Sequence, residues 1–481
     1  MSSKYEIVIG LEVHAQLLTK SKLFCADSAA FGAEPNAHVS PISLAHPGTL
    51  PVLNEKVIEL AIKLGIALNC EIAAEHYFAR KNYFYPDLPK GYQVSQHSSP
   101  VCLGGSVGIS VDGHEKNINL NRIHIEEDAG KSIHDLDENY SCIDLNRAGV
   151  GLLEIVTEPE INSAEEAYFF LTELRRLLRW LDVCDGNMEE GSMRCDANIS
   201  VRLRGEKKLG TRVEVKNLNS IRNVKRAIEI EAERLISILE NNEVIIQQTR
   251  SYNADNNSTF ALRNKEEAED YRYFPEPDLP LFTISKSYID NIKSLMIILP
   301  QEREKLYQEK YKLSSYDARV ICSDRDDSDF FENIIENTNH YKAVANWMLG
   351  PFRSYCNNET LDLKDFPLTT EKILSLITLV ETGKVSFSNA SGKVLNELLK
   401  DPSKDVMNVA EALNLLQEAD ETSIENWIDE VLNDLAPQVL AYKAGKKNLI
   451  GLFAGEVKKR SKGKADMQIA TKLLTEKLNT Q

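Results

Sequence analysis

The feature that most constrains the fold is a change in hydrophobic period near residue 294 of the 481-residue chain. Before that point, short stretches alternate apolar and polar residues between Gly and Pro, which is typical of β-strands joined by turns. After it, apolar residues recur at helical spacing almost without interruption. The predicted strands are 5–17, 107–111, 118–125, 152–156 and 197–203. A strand-rich part followed by a helical part predicts an α+β protein.

Helical patterns also interrupt the strand-rich part. They cover residues 53–67, 163–181 and 220–239. The second opens with Ser163 and carries a Glu three residues later, which is the pattern of a capping box. The length is sufficient for two or three domains. We predict a mixed or antiparallel sheet domain over 1–294, an all-helical domain over 295–405, and a helical tail over 406–481.

The composition favours a reduced, cytoplasmic protein. Eight cysteines are scattered without a CxxC pair or a zinc-like spacing with His, so structural thiols are expected. No stretch approaches the roughly 18 apolar residues of a membrane span. The N-terminus lacks the apolar segment of a secretory signal. We therefore expect no contact with a membrane.

Charge is distributed unevenly along the chain. Residues 441–481 contain ten Lys/Arg and three Asp/Glu, a net charge of +7, whereas the whole chain carries −17 and the remainder therefore −24. A basic tail on an acidic body suggests phosphate contact with a nucleic acid, and the alternative is a solvated helical face. The candidate nucleic-acid-binding residues are Lys458, Lys459, Arg460, Lys462 and Lys464.

The first strand carries a candidate metal-binding pair. Because strand side chains alternate between faces, Glu12 and His14 in the stretch IVIGLEVHAQL point the same way. A carboxylate beside an imidazole can ligate a divalent cation. The alternative is a polar edge that faces solvent.

Two further carboxylates lie in apolar surroundings. By alternation, Glu127 shares a face with Ile123 and Ile125, whereas Glu126 lies on the other face. Glu154 is the central residue of the apolar strand LLEIV. A carboxylate in such a position is costly unless it is paired, coordinated or open to a cavity. Carboxylates with one His suit Mg²⁺ or Mn²⁺ better than zinc, and a buried salt bridge is the alternative.

Two other segments could contact a substrate. The loop 81–93 combines lysines, four aromatic residues and two prolines; its rings could stack on a base while its lysines meet phosphate. A surface loop with core-packed aromatics is the alternative. Asp196, Asn198 and Ser200 share one strand face, which could hold a metal or the end of a nucleic-acid strand, or be the solvent-facing side of a half-buried sheet.

Several common catalytic motifs are absent. The sequence contains no GxxxxGK phosphate loop, no HExxH and no dinucleotide-binding glycine fingerprint in strand–helix context. Residues 104–108 match GxSxG, but a nucleophile elbow requires a helix after the serine. An alternating stretch follows instead, so we predict a hairpin turn.

Long stretches spread over the strand-rich part resemble the B subunit of bacterial aspartyl/glutamyl-tRNA amidotransferases. The stretches are IGLEVHAQL, HPGTLPVLN, FARKNYFYPDLPKGYQ, IHIEEDAGKS, LNRAGVGLLEIVTEPE, MEEGSMRCDANISVR, VEVKNLNS and DYRYFPEPDLP. The basic tail resembles the family's helical tRNA-binding end. One departure is Gly151, where the family usually has Pro before the LLEI strand.

The resemblance implies a fold and a reaction. The fold would be a cradle around an open pocket, followed by a helical domain and a tail. The chain would use ATP to phosphorylate the side chain of Glu or Asp on misacylated tRNA, after which ammonia displaces phosphate. A separate amidase A subunit would supply ammonia from glutamine through a channel, and a small C subunit would complete a heterotrimer.

The resemblance also implies site residues. Glu12, His14, Glu127 and Glu154 would bind Mg²⁺ or Mn²⁺; Glu127, Lys81, Tyr83 and Asp196 would take part in catalysis or in contact with ATP and the acceptor end. Two alternatives remain: a non-catalytic tRNA-binding scaffold, and a stand-alone ligase that activates free amino acids. The sequence leaves open whether Glu-tRNA(Gln), Asp-tRNA(Asn) or both are substrates.

Overall fold

The computed structural model describes residues 4–134, 136–264, 271–417, 421–461 and 464–480. The chain separates into two compact units, Met1–Leu299 and Pro300–Gln481. The first unit combines strands with helices, and the elements of the second are helices. The predicted α+β class is therefore confirmed.

The strands follow the predicted alternation closely. Each of the five predicted strands lies within or overlaps an observed one. The strands are β1 (Tyr5–Gln16), β2 (Glu71–Ile72), β3 (Glu75–His76), β4 (Ala79–Asn82), β5 (Tyr92–Ser95), β6 (Cys102–Leu103), β7 (Ser106–Val111), β8 (His114–Glu127), β9 (Lys131–Ile133), β10 (Cys142–Asp144), β11 (Gly151–Thr157), β12 (Met193–Leu203), β13 (Val213–Lys216), β14 (Gln248–Asn253), β15 (Ser258–Asn264), β16 (Arg272–Pro275) and β17 (Phe282–Thr283).

Three helices of the first unit match the predicted segments, whereas the helix Lys286–Ser294 was not predicted. Ser163 caps its helix by accepting a hydrogen bond from the backbone N–H of Glu166 at 3.1 Å. The helices of the first unit are α1 (Glu55–Ala67), α2 (Ala164–Trp180), α3 (Ile221–Glu240) and α4 (Lys286–Ser294).

The second unit consists of short helices. They are α5 (Pro300–Glu309), α6 (Ser315–Ile321), α7 (Arg325–Ile335), α8 (Tyr341–Trp347), α9 (Arg353–Glu359), α10 (Thr370–Glu381), α11 (Phe387–Asn389), α12 (Leu395–Lys400), α13 (Val406–Ala412), α14 (Glu421–Asp434), α15 (Ala436–Lys443), α16 (Ile450–Arg460) and α17 (Met467–Thr480). None of the described helices is long and apolar enough to cross a bilayer.

One large sheet dominates the first unit. Its main path runs β15-β14-β13-β12-β1-β11-β8-β5-β4-β16. Neighbouring strands on this path are antiparallel except β13 and β14, which are parallel. One face carries fully buried side chains such as Val13, Ile125 and Leu153, and α2 and α3 pack on β7 and β12. Strand alternation then leaves the polar side chains together on the opposite face.

The GxSxG stretch forms a turn, as predicted, but not a hairpin turn, because β6 before it and β7 after it both pair with β8. Gly104 and Gly105 have φ of +65° and +90°, and Ser106 begins β7 opposite Asn119 of β8. A strand follows the serine where a nucleophile elbow needs a helix. The match to GxSxG therefore reflects glycines that a turn requires, and not a catalytic serine.

The helical spacing of apolar residues over 438–460 predicts one long helix, but the structure divides this segment. α15 ends at Lys443 and α16 begins at Ile450, because Gly445 between them has φ of +110°, which a right-handed helix cannot include. A separate apolar core joins α14, α16 and α17, whereas α13 packs against α10 and α12. The domain boundary after residue 405 stays a prediction, because both helical parts lie within one compact unit.

Candidate active site

The register of the central strands brings polar side chains together on one face of the sheet. His14 of β1 lies opposite Glu154 of β11, and Glu154 lies opposite His124 of β8. On the other side of β1, Glu12 lies opposite Asp196 of β12. Cross-strand neighbours on one face are within side-chain reach of each other, so the register concentrates ionisable groups at the middle of the sheet.

The first group, which we call the histidine cluster, consists of His14, Glu126 and Glu154. Their ligand atoms all lie within 4.8 Å of one another. His14 Nε2 is 3.5 Å from Glu126 Oε1 and 3.4 Å from Glu154 Oε2. The side chains are 19%, 3% and 11% exposed, respectively. The cluster is therefore mostly enclosed, with His14 its most accessible member.

A second histidine, His124, lies beside the cluster, opposite Glu154 on β8. His124 Nε2 is 3.4 Å from Glu154 Oε2 and 3.6 Å from Glu126 Oε2, at the outer limit of hydrogen bonding. Its side chain is 1% exposed. Two histidines therefore share two carboxylates in a poorly solvated environment.

The charges in this cluster perturb one another strongly. Burial acts to lower the pKa of His14, but hydrogen bonds and charge interactions with Glu126 and Glu154 outweigh it and raise the pKa to about 10. Burial opposes the charged form of Glu126 as well, yet His124 and His14 lower its pKa to about 2. The pKa of Glu154 is lowered well below its usual value, against burial, by the same two histidines. Without a metal, the cluster thus holds protonated histidine beside two carboxylates.

The second group, which we call the acidic cluster, consists of Glu12, Asp196 and Glu214. Their carboxylate oxygens also lie within 4.8 Å of one another. Asn198 donates to Glu12 at 2.8 Å, and Lys216 Nζ lies 2.5 Å from Asp196 and 3.1 Å from Glu214. Burial, followed by the neighbouring carboxylates, raises the pKa of Glu12. Lys216 already compensates part of this negative charge.

The two clusters differ in how well they fit a divalent cation. In the histidine cluster, Glu126 Oε2 is buried and, among the described residues, has no hydrogen-bond partner. An orphaned carboxylate oxygen is costly unless a cation or water completes it. One imidazole and two carboxylates within 4.8 Å match the ligands of Mg²⁺ or Mn²⁺. The acidic cluster has the right oxygen ligands but must share them with Lys216.

Glu127 requires a correction, because the structure does not bring it into either cluster. Its carboxylate pairs with Lys90 Nζ and accepts from the backbone N–H of Val94 at 2.8 Å. It lines a separate cavity with Phe24 and Tyr92. The alternation that placed Glu127 with the isoleucines was correct, and the same alternation puts it on the sheet face away from His14. Its neighbour Glu126 occupies the expected position.

Lys81 and Tyr83 lie at the edge of the polar face. Lys81 Nζ is 4.9 Å from the ring centre of Tyr271 and 5.9 Å from that of Tyr83, within the range of cation–π contact. Burial acts to lower the pKa of Lys81, but the charges of Glu126 and Glu154 outweigh it and raise the pKa. Lys81 therefore remains a cation within electrostatic reach of the histidine cluster.

Known families cover both units of the chain. The family described as the GatB/GatE catalytic domain matches residues 7–290, and the family described as the GatB domain matches residues 329–478. The chain is 46% identical over 476 residues to the B subunit of the aspartyl/glutamyl-tRNA(Asn/Gln) amidotransferase of Oleidesulfovibrio alaskensis, covering 99% of this chain and 100% of that protein.

The chain belongs to the GatB family. Proteins with the same name from Bdellovibrio bacteriovorus and Geotalea daltonii are 44% and 46% identical over 483 and 478 residues, with 99% of this chain covered in both and 100% and 99% of those proteins. The resemblance seen in the motifs is confirmed.

Gly151, where the motif resemblance leads us to expect Pro, begins β11. Its carbonyl accepts from the backbone N–H of Leu17 at 2.9 Å. A Cβ at this position would lie 3.2 Å from Val57, so α1 packs closely against the strand entry. Glu154 keeps its place three residues on, opposite His14.

The basic residues of the GatB tail do not all present a free charge. Arg460 pairs with Glu430 at 3.2 Å and with Asp434 at 2.5 Å. Lys459 lies 3.7 Å from Glu456 and is 78% exposed. Lys458 and Lys464 are also in the described part of the chain, whereas Lys462 lies outside it. Nucleic-acid contact by this segment stays a prediction.

Sequence reasoning missed several polar residues of the site. Glu214 and Lys216 lie in the quoted stretch VEVKNLNS, and Arg194 lies in MEEGSMRCDANISVR. Alternation within β12 would have put Arg194 on the face of Asp196. Glu214 and Glu126 could be placed only with the pairing register between strands.

Proposed function

We propose that the chain phosphorylates and amidates the side chain of misacylated Glu-tRNA(Gln), Asp-tRNA(Asn) or both, as part of an ATP-dependent amidotransferase. Its relatives are named for these two tRNA substrates. The observation that carries the proposal is the pair of carboxylate clusters side by side on one polar sheet face. A binding scaffold has no need of buried, charged carboxylates, which cost free energy unless they serve a ligand.

The reaction needs a leaving group, because a carboxylate resists attack by ammonia. A carboxylate oxygen attacks the γ-phosphorus of ATP, the bond to ADP breaks, and an acyl phosphate forms. Ammonia then adds to the carbonyl carbon, and phosphate leaves with the C–O electron pair as the amide forms and a proton is released. Such a transfer depends on positioning and charge neutralisation rather than on a protein nucleophile, which agrees with the absence of a nucleophile elbow.

The residues that would hold Mg²⁺ or Mn²⁺ are His14, Glu126 and Glu154, with Glu12 and Asp196 of the acidic cluster nearby. When bound, the ion would neutralise and align phosphate oxygens. His124 Nε2 lies 3.4 and 3.6 Å from the two carboxylates, where a charged imidazole would orient metal ligands by electrostatic attraction.

The ammonia source and the other partners belong to the same proposal. An amidase A subunit would hydrolyse glutamine, a small C subunit would complete the heterotrimer, and ATP would be the phosphoryl donor. The relatives are named as one lettered subunit of an amidotransferase, which supports a multi-subunit assembly. The basic tail, with Lys458 and Lys459, would contact the tRNA backbone.

The proposal is tested by amidation in the complex reconstituted from this chain and its partner subunits. Each mischarged tRNA is supplied with ATP and Mg²⁺, and nitrogen is given either as glutamine or as ammonium chloride. We expect amidated aminoacyl-tRNA with both nitrogen donors, and none without ATP. Ammonium chloride bypasses the amidase, so it isolates the reaction assigned to this chain.

Substitution of Glu154 by Gln links the activity to the histidine cluster. We expect Glu154→Gln to abolish amidation with ammonium chloride while glutamine hydrolysis by the partner survives. Glu158→Gln is the matched control, since Glu158 follows the same strand but binds Asn121 at 2.8 Å outside the cluster. Full activity of Glu154→Gln would refute the assignment of the cluster.

The two competing functions give different results. If the chain is a non-catalytic scaffold, it binds tRNA, but calorimetry shows no divalent-cation binding to it with or without ATP, and Glu154→Gln leaves amidation by the complex unchanged. A stand-alone ligase supports pyrophosphate exchange with a free amino acid and no tRNA.

A further inference from the structure

Arg194 occupies a central place on the polar face. It lies in β12 directly opposite His14 of β1, two residues before Asp196. One neighbour therefore belongs to the histidine cluster and the other to the acidic cluster. The charges of Glu126 and Asp196 both reach its guanidinium group and, with Asp128, keep it protonated despite burial.

A buried carboxylate holds Arg194 in place. Arg194 Nη2 donates to Asp128 Oδ1 at 3.0 Å, and the Asp128 side chain is 5% exposed. Asp128 also accepts from Gln16 Nε2 at 2.8 Å and from the backbone N–H of Ala129 at 2.9 Å. Arg147 Nε lies 3.5 Å from the other Asp128 oxygen. Asp128 is thus fixed by four groups and cannot follow the guanidinium elsewhere.

Most of the Arg194 guanidinium remains available. Its side chain is 33% exposed, and among the described residues no group other than Asp128 accepts a hydrogen bond from it. Arg147 differs, because it donates to the carbonyls of Ala129 and Gly130 at 2.9 and 2.6 Å. Arg194 therefore presents free N–H donors in a fixed orientation.

These donors face a large cavity. The cavity has a volume of about 640 Å³ and is lined by Gln16, Arg194 and Asp196, among other residues. This volume is within the usual range for sites that bind a small molecule or cofactor. A ligand in the cavity would contact Arg194 together with Asp196 of the acidic cluster.

The concentration of negative charge on this face explains why a cation is needed there. The carboxylates of both clusters lie on it, and both reactants of the proposed phosphorylation step are anions. Like charges a few ångströms apart in a poorly solvated site repel strongly, so anionic reactants would be repelled. Lys216 is occupied by Asp196 and Glu214. Arg194 lies between the two clusters, and its guanidinium group has N–H donors that are not used by Asp128.

We propose that Arg194 binds an oxyanion of the reactants, either a phosphoryl oxygen of the nucleotide or the side-chain carboxylate of the aminoacyl group, and that Asp128 is the positioning residue that aims it. The inference rests on the proposed function and deepens it. A planar guanidinium can donate two parallel N–H bonds to either oxyanion. One nitrogen of Arg194, Nη2, already donates to Asp128. Charge developing on the transferred group is stabilised by a donor that is already oriented.

The test compares Arg194→Ala and Arg194→Lys with Arg202→Ala in the reconstituted complex, with ammonium chloride as the nitrogen donor. Arg202 is the matched control because it lies on the same strand, opposite Glu6 of β1, and forms an ion pair with that residue. We expect kcat/KM to fall about 100-fold or more for Arg194→Ala and to stay unchanged for Arg202→Ala. Arg194→Lys should retain only part of the wild-type kcat/KM, because lysine lacks the two parallel N–H donors of a guanidinium.

Three further measurements separate binding from a structural role. A raised KM for ATP assigns the contact to the phosphoryl group, and a raised KM for aminoacyl-tRNA assigns it to the carboxylate. Added guanidinium ion should partly restore Arg194→Ala. Asp128→Asn should lower kcat, and combining it with Arg194→Ala should cost no more than Arg194→Ala alone, because the two residues act as a unit.

The outcomes that overturn the inference are distinct from failure of the proposed function. Normal amidation by folded Arg194→Ala, with wild-type KM values, overturns the role of Arg194 and leaves the proposed function intact. If Arg194→Ala does not fold, full activity of Arg194→Lys overturns it instead. Absence of amidation by the wild-type complex overturns the proposed function itself.

Discussion

Replacing Glu126 with Gln should lower the pKa of His14, because Glu126 is one of the two carboxylates that raise it. His14 Nε2 is held between two carboxylates, Glu126 at 3.5 Å and Glu154 at 3.4 Å. These interactions raise the pKa of His14 from 6.5 to about 10, against the effect of burial. Gln keeps the shape of the side chain but removes one of the two negative charges.

The expected size of the change follows from the geometry. Equal sharing of the rise between two carboxylates at similar distances gives a fall on the order of two pH units. Coulomb's law at an effective dielectric of about 20 gives about 4.7 kcal/mol for unit charges about 3.5 Å apart, equivalent to about 3.5 pH units. We therefore expect the pKa of His14 to fall by about two to three and a half pH units in Glu126→Gln.

The assay is NMR titration of the imidazole carbons in protein labelled at histidine, without divalent cations, with His14 assigned from a His14→Gln variant. Glu127→Gln is the control, because Glu127 is adjacent in sequence but pairs with Lys90 on the other face of the sheet. Its His14 titration should match that of the wild type.

The sign of the effect on stability follows from the same shift. A raised folded-state pKa means that the His14 interactions stabilise the fold fully below pH 6.5 and lose that contribution as pH rises through about 10. Glu126→Gln should therefore lose stability at neutral pH. The reasoning is refuted if His14 titrates unchanged in Glu126→Gln, or if Glu127→Gln moves it instead.

Three other predictions concern metal, stability and tRNA. Mn²⁺ binding should release about one proton between about pH 6 and 8, and the affinity should rise about tenfold per pH unit, because His14 must lose its proton to bind the metal. Calorimetry in buffers of different ionisation enthalpy measures the number of protons released. An affinity that does not change with pH contradicts metal binding by His14. Glu127→Gln should destabilise the first unit by about 3–5 kcal/mol in denaturant unfolding, because Lys90 is left without its buried partner; an unchanged midpoint contradicts this. Tail binding to tRNA can be measured as the slope of the logarithm of the binding constant against the logarithm of the salt concentration. Replacing Lys458 and Lys459 with Gln should make this slope shallower by about 0.7–0.9 for each phosphate that the tail no longer neutralises. An unchanged slope argues against the tail as a tRNA-binding surface.

Much of the fold could be read from local patterns. Alternation located the central strands because each has one apolar and one polar face, and the Ser163 cap marked the start of α2. The prediction of one long helix over 438–460 was wrong because a single residue, Gly445, has a positive φ. Such a break is hard to recognise in a sequence, since glycine also occurs inside helices.

The sequence by itself determined which side chains share a face of one strand. It placed Glu12 with His14, and Glu127 with Ile123 and Ile125, because side-chain direction within a strand has a period of two. The structure agrees with both placements.

Only the tertiary structure decided which strands meet and in what register. Pairing of β1 with β11, and of β11 with β8, puts His14 beside Glu154 and Glu126 and leaves Glu127 on the opposite face. A shift of one residue would have exchanged the two glutamates. The register is fixed by burial of a whole apolar face against helices from distant parts of the chain, and no local pattern around residues 126 and 127 encodes it.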